Sequence, residues 1–291
     1  MFGLLNLNKP AGITSRDVVN RVQRLVKPHK VGHAGTLDPL ASGVLVVCIG
    51  PATRLIEYVQ RMPKRYLAKF LLGRRSETED IEGTVTELVD PPVPTEAQIR
   101  TVLPNFIGCI QQLPPAFSAL KVEGKRAYEM ARQGEIPDLK PRPIEVHSID
   151  LVEYSYPELT LDIRCGSGTY VRSLGRDIAR ALGTEGVMST LVRTEIGPFH
   201  LSQALSGDDI TPQSIDQAFV PPQSALGTMP TLAVSEQEEA LLRNGRQIPR
   251  EVAFNLPSGQ EEVALLNSTG RLLAIVVPAG PTHWQPRLVF G

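Results

Sequence analysis

Residues 32–43 read GHAGTLDPLASG and run directly into the apolar stretch VLVVCIG at 44–50. Pro39 drives the backbone of Asp38 out of the helical region into an extended or turn conformation, and Gly32, Gly35 and Gly43 permit tight bends around it. The run that follows is short and continuously apolar, as suits a strand buried on both faces. Together these features put a lone carboxylate at the tip of a loop held by a buried strand. Asp-Pro by itself is a common turn initiator, so the loop needs a chemical partner elsewhere in the chain before it reads as a site.

Working outward, LLNLNKP at 4–10 reads as a short strand ending at Lys9-Pro10. RDVVNRVQRLVK at 16–27 reads as a helix capped by Thr14 or Ser15, with Val18, Val22, Leu25 and Val26 on one face and Arg16, Arg21, Arg24 and Lys27 largely off it. KRYLAKFLLG at 64–73 alternates as a strand does, with Tyr66, Ala68, Phe70 and Leu72 on one side. TEAQIRTVLPNF at 95–106 predicts a helix that groups Ile99, Val102 and Phe106. Between 114 and 142 periodicity weakens while Pro, Gly and mixed charge increase, which predicts a mobile surface excursion around a short helix at 124–133. Two β-rich runs follow at 144–154 and 158–165. GSGTY at 166–170 then turns into the helix VRSLGRDIARALG, which Gly183 can terminate. A boundary is expected within 206–229, where turn formers mix without strong periodicity. The remainder predicts a small β-rich module, with a helix over 235–245 and strands over 261–267 and 271–278.

The composition is that of an ordinary globular protein: 291 residues, 42% hydrophobic, enough for one large domain with a small appendage. No run reaches the ~18 uninterrupted apolar residues of a membrane span, and the N-terminus lacks the basic and long apolar regions of a signal peptide, so a cytoplasmic protein is expected. Cys48, Cys109 and Cys165 form no CxxC pair, which suggests neither a disulfide framework nor a zinc site. The net charge of −1 conceals an asymmetry. Residues 1–75 hold thirteen Lys and Arg against Asp17, Asp38 and Glu57. That excess would make either a localised phosphate-binding face or a set of solvated helix surfaces. Residues 76–100 run acidic, with Glu77, Glu79, Asp80, Glu82, Glu87, Asp90 and Glu96 against Arg100 alone.

A partner for Asp38 is on offer in GSGTYVRSL. A guanidinium near a helix start, Arg172, can fork onto a carboxylate, favour its ionised form and fix its orientation. The alternative is a surface arginine, since Arg176 and Arg180 continue its i, i+4 row and such rows are usually solvated. Of the histidines at 29, 33, 147, 200 and 283, only the first two fall in an HxxxH spacing, as HKVGH without the glutamate of a zinc-binding helix, and no HxH, GxGxxG or Walker loop occurs, so hydride and phosphoryl transfer find no support. One carboxylate, one arginine and an aromatic ring remain, with no metal and no cofactor expected.

GHAGTLDPLASG resembles the catalytic motif of the pseudouridine synthases, and LNKP, KRYLAKFLLG and GTYVRSL match the other motifs of one branch in order. With a weaker continuation through STLVRTEIG, the chain is most similar to the bacterial tRNA pseudouridine synthase B family. The resemblance implies an α+β pseudouridine synthase fold around a mixed, mainly antiparallel sheet. It divides the chain into a catalytic domain over 1–228, with an RNA-gripping insertion at about 114–142, and a small β-rich PUA-like RNA-binding domain over 229–291. It also implies isomerisation of the T-loop uridine at tRNA position 55. Asp38 would be the essential carboxylate, Tyr66 would stack on the uracil and assist loss of the C5 proton, and Arg172 would pair with Asp38. Tyr170 and Leu191 would line the uridine pocket, His33 would fill the space vacated by the flipped nucleotide, and Lys9 and Pro10 would support the site. The T stem-loop of tRNA is the expected partner, with no guide RNA and no membrane, and the expected state is a monomer. The box H/ACA-guided relatives usually carry a fuller C-terminal module and basic tails missing here.

Pseudouridylation breaks N1–C1′ and rejoins the sugar through C5, with no redox change. One ionised carboxylate can serve it, as a nucleophile or as a base at C2′. A glycosidase usually needs a second carboxyl group for its leaving alkoxide, and none is evident beside Asp38, which favours isomerisation over hydrolysis. The rival readings are a non-catalytic tRNA-binding or RNA chaperone protein, and an RNA uracil glycosylase.

Overall fold

Local sequence and long-range pairing agree over the first fifty residues of the structure, a computed structural model that describes residues 1–290 except 119, 123, 136, 250–255 and 257–260. Strand β1 (Gly3–Lys9) leads into helix α1 (Ser15–Leu25). Thr14 caps it, accepting the Asp17 backbone N–H while the Asp17 carboxylate returns a bond to Thr14, so two orphan donors of the first turn are satisfied. Val18, Val19 and Val22 are buried against β1 and the following strands, the short β2 (Val31–His33) and β3 (Ser42–Ile49). Every residue of β3 after Ser42 is buried, as its unbroken apolar run predicts.

After the short helix α2 (Ile56–Arg61), strand β4 (Lys64–Leu72) keeps strict inward and outward alternation, with Tyr66, Ala68, Phe70 and Leu72 inward. Helix α3 (Glu96–Val102) stops earlier than its pattern predicts and tightens into a 3-10 turn at Leu103–Phe106, because Pro104 cannot continue the helical ladder. Strand β5 (Gly108–Gln112), helix α4 (Ala127–Arg132), the long β6 (Arg142–Ser155), β7 (Glu158–Cys165), helix α5 (Val171–Ala181) and β8 (Gly186–Ile196) follow.

With a two-residue strand β9 (Leu205–Ser206), the main sheet runs β9-β1-β3-β8-β4-β7-β6-β5. Its ladders are antiparallel except β1 with β9 and β3 with β8, which makes the fold α+β around a mixed, mainly antiparallel sheet. The β3–β8 joint is narrow, pairing only Ser42 with Val192 and Gly43 with Arg193. Gly43 has φ +103, and a Cβ there would stand 2.2 Å from the Arg193 carbonyl oxygen. Only glycine lets the two halves of the sheet approach, and the loop carrying Asp38 emerges at this joint.

Helix α5 packs its apolar face on the β4–β8 half of the sheet, with Leu174, Ile178 and Ala179 at 0% exposure. It lies so close that a Cβ on Gly175 would fall 1.9 Å from the Phe70 ring, itself 1% exposed. Gly175→Ala is therefore expected to cost roughly 1–3 kcal/mol through overpacking. The urea midpoint should fall with an unchanged m-value, and an unshifted midpoint would mean that α5 is not seated as described.

Most of the segment 206–229, within which a boundary is expected, is built into the body. Helix α6 (Pro212–Gln217) buries Ile215 beside β1, and Phe219–Val220 adds an antiparallel edge to that strand. Its turn formers hide this because the apolar anchors are isolated residues rather than a periodic run. Beyond it, a second sheet takes the order β10 (Thr231–Ala233), β12 (Val263–Leu266), β13 (Leu272–Ala279), β14 (His283–Val289), β11 (Ile248–Pro249), with helix α7 (Glu236–Arg243) against it. Its Ala264, Leu272 and Ile275, with Phe290 just past it, share one core with Leu4 and Val44 of the first sheet, Leu55 of the 3-10 turn before α2 and Val59 of α2. Phe290 stacks on Phe2 at 5.2 Å. Among the described residues, no helix is long and apolar enough to cross a membrane.

Candidate active site

The loop 34–41 is fastened from three sides. Leu37 N–H donates to Ser15 Oγ at 2.9 Å and the Ser15 hydroxyl donates back to the Leu37 carbonyl at 3.1 Å, tying the loop to the start of α1. Lys9, fully buried, donates to the carbonyls of Pro10, Ile13 and, at 3.4 Å, Pro39. Burial pushes its ammonium pKa down while Asp38 and Glu82 oppose the shift. Arg193 holds the carbonyls of Gly35, Thr36 and Val44. With its backbone pinned, Asp38 presents a side chain 39% exposed at the mouth of a cleft of about 870 Å³.

Across the cleft, Arg172 Nη2 lies 3.3 Å from Asp38 Oδ2. The guanidinium is not a surface group: its side chain is 8% exposed, and it also donates to the carbonyls of Thr78 and Phe117. Tyr66, Tyr170, Leu191 and Arg172 line the same cleft as Asp38. Tyr66 is buried on β4, and burial pushes its phenol pKa up. Leu191 faces it from β8, paired with Ala68. Tyr170 is clasped by Gln112, which donates to its carbonyl and accepts its N–H, and Arg142 lies over its ring at 5.0 Å.

His33 and Lys9 are not brought to the cleft wall. His33 ends β2, with its Nδ1 buried and unpartnered, and its pKa is pushed down by burial and by Arg16. Lys9 acts from behind the loop.

Several acidic and basic residues in and behind the cleft were not singled out as site residues in the sequence, among them Asp80, Glu82, Glu79 and Arg176. Asp80, its side chain 2% exposed, pairs with Arg172 Nη1 at 3.3 Å, so one guanidinium bridges two carboxylates. Asp80 also accepts from Thr78 Oγ1 at 2.6 Å and from the Glu82 backbone N–H at 3.0 Å. Glu82 accepts the Leu40 N–H, and its pKa is raised by burial and by the like charges of Asp80 and Asp38. Asp38 thus has carboxyl neighbours, contrary to the sequence expectation, although Asp80 is turned into Arg172 and fully engaged. Behind them Glu79 meets Arg176 and accepts from Ser173 Oγ, and burial holds its carboxyl above the usual range. Arg176 is 7% exposed where its i, i+4 row predicts a solvated side chain.

The acidic residues reach the site because the loop docks on β8: Met188 N–H donates to the Glu79 carbonyl, Ile81 N–H donates to the Met188 carbonyl, and Glu79 takes φ +66 between them. The usable signal in the sequence was weak, a cluster of acids directly following a buried strand.

The basic excess of residues 1–75 is partly neutralised. Arg21, Arg61, Arg65, Lys69 and Arg74 pair with carboxylates. Arg16, Arg24, Lys27 and Lys30, on or just past α1, are exposed and form no ion pair among the described residues.

Comparison with known proteins gives a consistent result. The family model "TruB family pseudouridylate synthase (N terminal domain)" matches residues 23–171. The tRNA pseudouridine synthase B of Dehalococcoides mccartyi strain 195 is 38% identical over 295 residues, spanning 100% of this chain and 97% of that protein. The tRNA pseudouridine synthase B of Gluconobacter oxydans strain 621H is 45% identical over 271 residues, spanning 89% and 81%. Among solved structures, a Cbf5-Nop10-Gar1 complex matches with a TM-score of 0.75 at 26% identity, over 100% of this chain and 85% of that one. An H/ACA RNP bound to a substrate RNA containing 2′-deoxyuridine matches with a TM-score of 0.74 at 25% identity, over the same shares.

Proposed function

The chain belongs to the TruB family of pseudouridylate synthases and is a tRNA pseudouridine synthase, and on that premise we propose that it uses Asp38 to isomerise the T-loop uridine at tRNA position 55. The observation that carries the reading is the arrival of Asp38, Tyr66, Tyr170, Arg172 and Leu191, from four separate parts of the chain, in one cleft. A uridine must be everted to reach it, which costs a few kcal/mol and least in a loop whose base is already poorly stacked.

In this reading the roles follow the chemistry of each group. Asp38, half in solvent and held by Arg172, attacks the nucleoside or takes the C2′ proton, and the N1–C1′ bond breaks to release uracil as a stabilised anion. Tyr66 and Leu191 bracket the freed ring while it turns, and the C5–C1′ bond then forms. Tyr170, braced by Gln112 and Arg142, offers a stacking face of the kind that RNA loops favour. His33, on β2 beside the loop, supports the RNA shape from outside the cleft, and Lys9 keeps the loop in place. Neither a metal nor a cofactor is required by any of these steps.

We read residues 1–228 as the catalytic domain, 114–142 as its RNA-gripping insertion and 229–291 as a PUA-like RNA-binding domain, with the protein acting as a cytoplasmic monomer without a guide RNA. Near full-length similarity to proteins named for tRNA modification supports the last point. Catalysis is tested with a tRNA transcript tritiated at C5 of its uridines. One equivalent of tritium released per tRNA, with no free uracil, is the expected outcome; free uracil and an abasic site would make the protein a glycosylase.

The unpaired cations around α1 supply phosphate attraction. Raising salt from ~50 to ~200 mM is accordingly expected to weaken tRNA binding by about tenfold or more. An affinity indifferent to salt in a filter-binding titration would show that this face does not touch RNA.

A further inference from the structure

Arg193 occupies an inward position of β8, two residues after Leu191, and is 2% exposed. Its guanidinium donates Nε to the Val44 carbonyl at 2.7 Å, Nη1 to Thr36 at 3.3 Å and Nη2 to Gly35 at 3.1 Å. All three acceptors are neutral, and no carboxylate pairs with it among the described residues. A buried charge is ordinarily matched by a counter-charge. Here, among the described residues, carbonyl oxygens alone receive the charge by hydrogen bond at the narrow joint of the sheet. Lys64, buried nearby on the carbonyls of Gln60 and Met62, feels it: burial, then Arg193, push its ammonium down to about 8.

What Arg193 faces is Tyr66. The two are paired across the β8–β4 ladder, a β-bulge follows at Arg193–Glu195, and both line the cleft with Asp38. Burial pushes the phenol pKa up, Cys165 and Asp38 add to that, and Arg193 is the group that opposes it.

We propose that Arg193 is a positioning residue that acts on the reaction through Tyr66, holding the phenol and the Gly35–Asp38 loop in fixed relation and stabilising the negative charge that develops on the Tyr66 oxygen as its hydroxyl proton moves off ahead of C5–H cleavage. The proposal rests on the reading of Tyr66 as the residue that meets C5. Once C5 has joined C1′, that carbon carries both the sugar and its hydrogen, and N1 is doubly bonded to C6. The C5–H bond breaks and its electron pair becomes the C5=C6 bond, while the C6=N1 π pair comes to rest on N1. Tyr66 first gives its hydroxyl proton through water to the N1 lone pair, and the phenolate oxygen so formed takes the C5 proton. Atoms and charge balance, and the phenol is restored. During the exchange its oxygen is partly anionic, and a fixed cation preorganised beside it lowers the barrier. A lysine at 193 keeps the charge but not the three-carbonyl fork; a glutamine keeps neither.

The test is single-turnover conversion of tRNA carrying protium or deuterium at C5 of the T-loop uridine, with wild type, Arg193→Lys, Arg193→Gln and Tyr66→Phe, and with tRNA affinity and thermal melting measured alongside. Arg193→Gln is expected to slow conversion by about 100-fold, the scale of lost proton-transfer assistance, with Arg193→Lys intermediate and tRNA affinity unchanged. In both variants the C5-deuterium isotope effect should rise above the wild-type value, because the proton step becomes limiting. A slowed variant with the wild-type isotope effect would reduce Arg193 to a loop clamp and overturn the proposal, as would a normal rate. If the Gln variant does not fold, the Lys variant decides; if neither folds, Arg193 is a folding residue and the proposal fails. Tyr66→Phe separates the two readings: wild-type activity there removes Tyr66 from the proton step, whereas a slow Tyr66→Phe beside isotope-silent Arg193 variants removes Arg193 alone.

Discussion

Arg172→Met is expected to destabilise the protein by roughly 3–5 kcal/mol, because it removes the cation from a buried carboxylate instead of deleting the pair. Asp80 has a side chain only 2% exposed and meets Arg172 at 3.3 Å. Without the guanidinium it keeps the Thr78 hydroxyl and the Glu82 N–H, too little to hold a full negative charge out of water. The Thr78 and Phe117 carbonyls lose their donor in the same step. Urea melts at neutral pH check this. A variant as stable as wild type at neutral pH would show that Asp80 does not depend on Arg172. The same substitution leaves Asp38 without its orienting partner, so turnover should fall by about 10²-fold or more even where the protein is folded.

Asp38→Asn separates chemistry from folding. The amide is nearly isosteric, and the carboxylate it replaces is 39% exposed with one partner at 3.3 Å, a setting in which an ion pair contributes less than about 1 kcal/mol. Stability and tRNA affinity should therefore be nearly unchanged. Single-turnover pseudouridine formation should fall by about 10⁴-fold or more, the scale seen when a reaction loses the side chain that performs its central step. A residual rate within tenfold of wild type would take Asp38 out of the mechanism, whatever its position.

How much of this was legible in the sequence depends on the range of the forces involved. The Asp38 loop could be read because its constraints are local: a proline after the aspartate, three glycines and an apolar strand. Tyr66 could be placed on an inward face because β4 alternates. The meeting of Asp38 with Arg172 could not be deduced from either segment alone, since it is made by the β3–β8 joint and by the depth at which α5 packs on Phe70; motif resemblance supplied it. Glu79 and Asp80 were opaque for a different reason. They lie in an aperiodic acidic loop that reads as solvated charge, and only docking on the Met188 backbone buries them. Arg176 misleads in the same way, as its helical row predicts water until Glu79 is placed opposite it. Arg193 did leave a signal in its parity, a lone arginine at an inward position next to Leu191. The fit of the second sheet against Val44 and Leu55 left none, because strands buried on both faces look alike whatever covers them.

The fate of one uridine decides the chemistry. Wild-type protein and a tRNA transcript, digested to nucleosides after a single turnover and mapped at nucleotide resolution, should give pseudouridine at position 55, RNA of unchanged mass and no free base, with conversion abolished when that position carries cytidine. Free uracil with a strand-labile abasic site, or pseudouridine appearing only outside the T-loop, would contradict it.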